Sequence, residues 1–299
     1  MENIQIREDL KQSVLKFVIQ DVESKYNVKV LFCAETGSRG YHTHTSQSDL
    51  DVKGFYASKT EDYLITNDKK KILQKTHHFL KLEDGSEVEF DYTFLDIRKF
   101  LKRKLRPNKI DQMNLWVMSE SVYLNKFDED TLKFFQKELK LPYTALNGHM
   151  KTYLKIFSKQ NPTLKVKEIL TSIIVGFQLL HMIIFKENPI YQTWKQQNYL
   201  KKYVDNLRDQ SKEVPLPLKN IEHIQKYALE LYELKKEARK GELENIDSSF
   251  LEWMQQVINF YKDFQEQTLS QDYSESPEIS KSRADQIFQK MRKIADENL

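Results

Sequence analysis

The sequence predicts an α+β protein: a small mixed-sheet domain at the front, followed by a helical domain. Three observations carry that prediction. Apolar residues come in short strand-like runs over the first hundred positions and at helical spacing afterwards. An Asp-Gly pair, Asp84-Gly85, sits between two strand-like runs, a hairpin signal. Seven Gly and seven Pro in 299 residues argue against long disordered tracts and against a turn-rich all-β fold.

Taken in order, the chain opens with an amphipathic helix whose Leu10, Val14, Phe17, Val18 and Val22 share one face. Val28 to Ala34 reads as a buried strand running into a tight loop at Gly37-Ser38. A second strand spans Asp49 to Ala57. Lys71–Leu82 and Val88–Phe94 form the two arms of the hairpin. From Asp96 the period becomes helical, with Asp96 as N-cap and Ile97, Phe100, Leu101 and Leu105 inward. Pro107 ends that helix or starts a new element. Almost everything after residue 110 reads as helix. Ile169, Ile173, Ile174, Phe177, Leu180, His181 and Ile184 mark a central buried helix, and Ile224, Ala228, Leu231 and Leu234 another amphipathic one. Ser270–Ser282 reads as a linker. A short last helix, with Ile287, Phe288, Met291 and Ile294, can dock on the body or on a partner. The domain boundaries expected are 1–120, 121–269 and 270–299.

Composition narrows the function classes. A single cysteine, Cys33, excludes an internal disulfide framework and a multi-cysteine zinc site, and its apolar setting marks a core thiol. The net charge of +3 does not by itself announce a nucleic-acid binder. The start MENIQIREDLKQ lacks an apolar signal core, and the apolar run Ile173–Phe185 is too short to span a bilayer. The expectation is a cytoplasmic protein with no membrane contact.

The chemistry concentrates in one unit: Gly37-Ser38, ten intervening residues, then Asp49-Leu50-Asp51-Val52. On a strand, positions i and i+2 face the same way, so Asp49 and Asp51 can reach one pair of hard cations. A Gly-Ser loop lets backbone N–H groups and a hydroxyl approach phosphates, and Arg39 can add charge there. Such an arrangement suits nucleotidyl transfer from a nucleoside triphosphate with two Mg²⁺ (or Mn²⁺) ions. A third carboxylate is wanted, and Glu87, Glu89 and Asp91 on one face of the hairpin all offer one. Arg98, Lys99, Lys102, Arg103, Lys104, Arg106 and Lys109 form a basic run that either guides an RNA backbone or the triphosphate, or is a solvated helix face. His42 and His44 read as polar loop residues, and His77-His78 as strand neighbours pointing opposite ways.

These residues resemble the polymerase-β-type nucleotidyltransferase superfamily and, more narrowly, the RNA-ligase-associated (RlaP-like) family. The matching stretch is CAETGSRGYHTHTSQSDLDVKGFYASKTEDYLIT, where the family has Glu-Ser-Gly-Ser-Arg, then Ser-Asp-x-Asp-Val-Arg, then Trp/Tyr-Tyr-Leu. Asp91-Tyr-Thr-Phe-Leu-Asp96-Ile-Arg98-Lys99 is similar to the family's Leu-Asp-x-x-x-x-Asp-Leu-Arg-Lys. The resemblance implies that Asp91 is the third metal carboxylate, that Asp96 caps the next helix, and that Gly37, Ser38, Arg39 and Ser48 border the nucleotide. Fainter echoes fall at Lys165-Val166-Lys167 and at Leu231–Gly241, and Lys167 becomes a candidate mobile cation over the triphosphate. The family's Asn-Pro is replaced by Pro107-Asn108, and its Arg-Pro is missing around Ile174–Phe177. The reaction implied is transfer of an NMP, from ATP as first choice of NTP, to a hydroxyl such as an RNA end. Protein AMPylation, a toxin-like tRNA modification and a non-catalytic nucleotide- or RNA-binding module stay open.

Overall fold

The computed structural model describes residues 8–45, 48–64, 72–81, 85, 87–104, 119–138, 143–158, 164–237, 242–243, 245–269 and 281–298. In chain order the elements are α1 (Glu8–Tyr26), β1 (Val28–Glu35), α2 (Gly37–Gly40), β2 (Leu50–Ser58), α3 (Thr60–Leu64), β3 (Ile72–Lys81), β4 (Glu87–Asp96) and α4 (Ile97–Lys104). Then follow β5 (Val122–Asn125), α5 (Glu129–Lys133) with a π-turn over Phe134–Glu138, α6 (Tyr143–Phe157), β6 (Leu164–Lys165) and α7 (Val166–Phe185). The chain continues through α8 (Thr193–Asp209), α9 (Leu216–Lys219), α10 (Ile221–Glu237), β7 (Glu242–Leu243), α11 (Ser248–Leu269) and α12 (Lys281–Asn298). Two compact units result: Met1–Leu139 with Ser276–Leu299, and Lys140–Glu275.

The first unit is built on a mixed sheet of order β3-β4-β2-β1-β5, in which β2 and β4 run parallel and the other neighbours antiparallel. The expected hairpin is present as β3/β4, and Gly85 in its connection adopts φ +83°. Turn residues 82–84 and 86 lie outside the described residues. Strand β5 is an element that sequence periodicity reads as helix. It pairs with β1 at the sheet edge, so the sheet continues past residue 120 and the compact unit runs to Leu139. Four residues at a half-exposed edge carry too little alternation to stand out from helical surroundings.

Each face of this sheet has its own helix cover. On one, Val14, Val18 and Val22 of α1, spaced four apart, pack on Val28, Val30, Leu50, Val52, Phe90 and Tyr92. The Tyr92 hydroxyl donates to Asp21 at 2.9 Å and ties β4 to this helix. Leu10, read as part of the same stripe, has its side chain outside the described set. On the other face, Phe32, Phe55 and Leu95 lie under Phe100 and Leu101 of α4, Phe134, Phe135, and the α12 stripe Ala284, Ile287, Met291 and Ala295. Because β1 is covered on both faces its residues alternate between the two cores, and a bulge between Val30 and Phe32 puts Leu31 and Phe32 in the same one. Helix α12 is 18 residues long, longer than its apolar pattern predicts, and it docks on the body. Lys290 pairs with Asp128 at 2.9 Å, Arg283 with Asp130 at 2.9 Å, and the Thr60 N–H donates to Asp296 at 2.8 Å.

The second unit is helical, arranged round α7, of whose residues fifteen are buried. Gly176 permits the close approach of α11, since a Cβ there would meet the Trp253 ring, whose Cζ3 lies 3.0 Å away. As a helix α7 spans 20 residues, more than the Ile173–Phe185 run, and by length and composition alone it could cross a membrane; most of it is buried within the protein, as in a core helix. His181 is buried and hydrogen-bonded to Gln196 at 2.8 Å. Of the α10 stripe, Ile224, Ala228 and Leu231 are buried while Leu234 is exposed.

Candidate metal centre

Asp51 and Asp91 are register partners on the parallel strands β2 and β4, and Asp49 immediately precedes β2. Strand alternation sends Leu50, Val52, Phe90 and Tyr92 under α1 and turns the three carboxylates to the opposite face. All three are partly buried, and they offer oxygens within 4.8 Å of one another. Among the described residues they are the one group of three or more potential metal ligands so placed.

The same face changes character along the two strands. The Asp51/Asp91 row is followed by Lys53/Thr93 and then by Phe55/Leu95, which is already core beneath α4 and α12. Among the described residues of this unit, the helix-covered core on this face reaches Phe55 and Leu95 and does not include the acidic residues. Lys53 occupies the border, with Nζ 3.5 Å from Asp51 Oδ1 and donating to Thr93 Oγ1 at 3.3 Å. Lys53 escaped the sequence reading, although the alternation Asp49-x-Asp51-x-Lys53 places it on this face.

Gly37 closes the other side of the centre. The Thr36 N–H donates to the Asp51 carbonyl at 2.8 Å, which brings the turn after β1 against β2. Gly37 takes φ +61°, and a Cβ on it would overlap the Asp51 carboxylate, with Cγ at 2.8 Å. The short turn α2 leaves the first N–H groups, from Gly37 onward, without intrahelical acceptors. Arg39, expected to add charge beside phosphates, points inward. It is 4% exposed, donates to the carbonyls of Asp49 at 3.1 Å and Ser48 at 3.0 Å, and lies 3.7 Å from buried Glu35. Burial opposes its charge and Glu35 supports it. A loop between two strands needs such a pin, because its carbonyls are otherwise unpaired. Glu35 is held in turn by the Tyr123 hydroxyl at 2.6 Å. The Ser48 hydroxyl accepts from the Thr45 N–H at 2.9 Å and shapes the entry to β2.

A second bulge positions Asp91. Register slips between Lys75 and His78, His77 takes φ +52°, and its N–H donates to Asp91 Oδ1 at 2.7 Å. The His77 ring pairs with Glu89 at 3.0 Å, and that hydrogen bond, with the charges of Asp91 and Glu89, raises its pKa. Of the three carboxylates the hairpin offered, Glu87 is exposed, Glu89 holds His77, and Asp91 joins the centre.

Other expected residues fall elsewhere. Asp96 caps α4, accepting from the N–H groups of Arg98 at 2.7 Å and Lys99 at 3.2 Å; burial pushes its carboxyl up and these bonds oppose the shift. Arg98 stacks over Tyr63 and Phe288, so its guanidinium serves the α12 contact. Lys102 is exposed; the side chains of Arg103 and Lys104, and all of Arg106 and Lys109, lie outside the described set. Lys167 is exposed in the first turn of α7, in the second unit. Cys33 is buried, which pushes its thiol up to about 12, as befits a core thiol.

The donor set suits a hard divalent cation. Oxygen ligands at about 2.0–2.1 Å from an Mg²⁺ ion define an octahedron roughly 4 Å across, close to the spread of these carboxylates. All-oxygen ligation also fits Mn²⁺ and does not fit a thiolate-seeking metal.

A sequence model of the family described as "RlaP: RNA repair pathway DNA polymerase beta family" matches residues 12–168, from α1 to the first turn of α7. The chain is also similar to "Uncharacterized protein YcgL" of Bacillus subtilis (strain 168), with 26% identity over 120 residues. That match covers 40% of this chain and 41% of the relative, so the chain spans about two fifths of the length of the relative it matches. With a polymerase-β-like front domain, a helical region behind it and more than half its length matched, the chain belongs to the RlaP family.

Proposed function

We propose that this protein is a metal-dependent nucleotidyltransferase that moves an NMP from an NTP to a hydroxyl, with an RNA end as acceptor. The observation that carries the proposal is the convergence of Asp49, Asp51 and Asp91 on one face of the sheet, oxygens within 4.8 Å. Divalent ions held there would supply charge to the phosphates and to the attacking oxygen. The protein's own part is positional. The Gly37-Ser38 turn offers N–H groups without a side chain at Gly37 in the way, Arg39 pins the loop that presents Asp49, and the His77 bulge holds Asp91. The RNA acceptor rests on the family's description as an RNA repair pathway polymerase. ATP is the first NTP to try, with Mg²⁺ or Mn²⁺, and exposed Lys102 and Lys167 are candidates for backbone and triphosphate contacts.

The test incubates the protein with each labelled NTP, Mg²⁺ or Mn²⁺, and either total RNA or cell lysate. Label on RNA that disappears with Asp49→Ala and Asp51→Ala supports the proposal. Label on protein alone redirects it to AMPylation. Equal behaviour of wild type and both variants with every NTP and acceptor overturns the enzymatic reading.

A further inference from the structure

Lys53 stands beside the carboxylates of the candidate centre. Its ammonium lies 3.5 Å from Asp51 Oδ1, one strand step beyond the aspartates, and is held there by Thr93 Oγ1 at 3.3 Å. The register pairs Lys53 with Thr93 as directly as it pairs Asp51 with Asp91. Past them the face is closed by Phe55 and Leu95. Lys53 is therefore confined between core and carboxylates, at 23% side-chain exposure. Asp51 is the carboxylate that pairs with Lys53, and Asp49 and Asp91 offer oxygens within 4.8 Å of one on Asp51, while Glu89 pairs with His77.

We propose that Lys53 is a built-in counter-ion that weakens binding of a free divalent cation and favours its arrival together with the nucleotide. This rests on the metal-centre reading above. Three carboxylates within 4.8 Å repel one another, and the ammonium relieves part of that repulsion. A free ion must take over Asp51 and sit close to a fixed positive charge, which disfavours it. A nucleoside triphosphate brings several negative charges of its own, which give the ammonium a new partner and cancel the penalty. Lys53 is a positioning residue in this scheme and needs no change of protonation.

The test measures binding without turnover. Mn²⁺ is titrated by electron paramagnetic resonance against wild type, Lys53→Met and Lys53→Arg, alone and with a non-hydrolysable ATP analogue. Circular dichroism and a melting curve verify that each variant is folded. Lys53→Met is expected to bind free Mn²⁺ roughly three- to tenfold more tightly, and Mn²⁺ with the analogue more weakly by a similar factor. Lys53→Arg, which keeps the charge, is expected to follow wild type. Free-Mn²⁺ affinity that is unchanged or lower in Lys53→Met overturns the inference and leaves the metal centre standing. Mn²⁺ binding that is absent from wild type, or indifferent to Asp51→Asn, overturns the centre and the inference with it.

Discussion

Gly37 faces Asp51 so closely that the carboxylate occupies the space where any other residue would place its Cβ. The turn that presents N–H groups and the strand that presents carboxylates are fitted to each other at this contact. Gly37→Ala is expected to lower nucleotidyl transfer at least about 100-fold, since the displaced carboxylate misaligns the reacting groups. The stability loss should be smaller, about 1–2 kcal/mol from a left-handed alanine. Single-turnover rates beside denaturant melts separate the two; equal losses in both would point to simple unfolding.

Three neighbouring carboxylates repel one another and Lys53 offsets only part of that, so the centre is expected to destabilise the fold when no cation is bound. Asp49→Asn should raise the melting temperature in chelator by about one degree, on the order of 0.3 kcal/mol. Mg²⁺ at about ten times its Kd should stabilise wild type by about 1.4 kcal/mol and do little for the variant. Melting curves with EDTA and with Mg²⁺ read both effects, and a variant that gains as much as wild type from Mg²⁺ contradicts the assignment.

Arg39 carries a buried charge whose partners are Glu35 and two backbone carbonyls. Arg39→Met leaves Glu35 buried without its cation and is expected to destabilise by about 3–5 kcal/mol. Arg39→Lys should recover only part, because an ammonium cannot reproduce the planar fork. Pairing Arg39→Met with Glu35→Gln should cost less than the sum of the single changes. Equilibrium urea unfolding of wild type, Arg39→Met, Glu35→Gln and the double variant measures the coupling, with Arg39→Lys read beside them.

The α12 contact should respond to acid. Asp128 accepts from the Thr131 N–H, pairs with Lys290, and is held down to about 2 against an ordinary 3.8. A depressed carboxyl stabilises the fold fully above its ordinary value, and the contribution disappears as pH falls from about 4 toward 2. Asp128→Asn keeps a capping oxygen and loses the charge, so its stability should vary less across that window. Met291→Ala should cost about 2–4 kcal/mol at any pH, because that part of the contact is apolar. Denaturation midpoints from pH 2 to 7 for the three proteins test both expectations.

Much of the front domain was legible because its signals are local. Alternation at Leu50-Asp51-Val52 and at Val88–Tyr92 sorted core residues from site residues, and Asp96 announced the helix it caps. What stayed hidden depends on distant partners or on backbone irregularity. A charged Arg39 can face phosphate or turn inward, and the direction follows from carbonyls ten residues away. The bulge at His77 adds one residue to a strand of uniform composition, so no pattern marks it. The α12 stripe is plainly amphipathic, but amphipathicity does not say which surface receives it.

That surface is the far face of a sheet whose strands all precede residue 126, while Ala284, Ile287, Met291 and Ala295 come after the whole second unit. On a ribosome the front sheet therefore waits, with Phe32, Phe55 and Leu95 lacking their last cover, until the interposed helical unit has been synthesised. A nascent chain in that interval displays sticky surface and is a natural client for chaperones. A single polypeptide thus matures in the reverse of its reading order: the middle can be finished before the beginning.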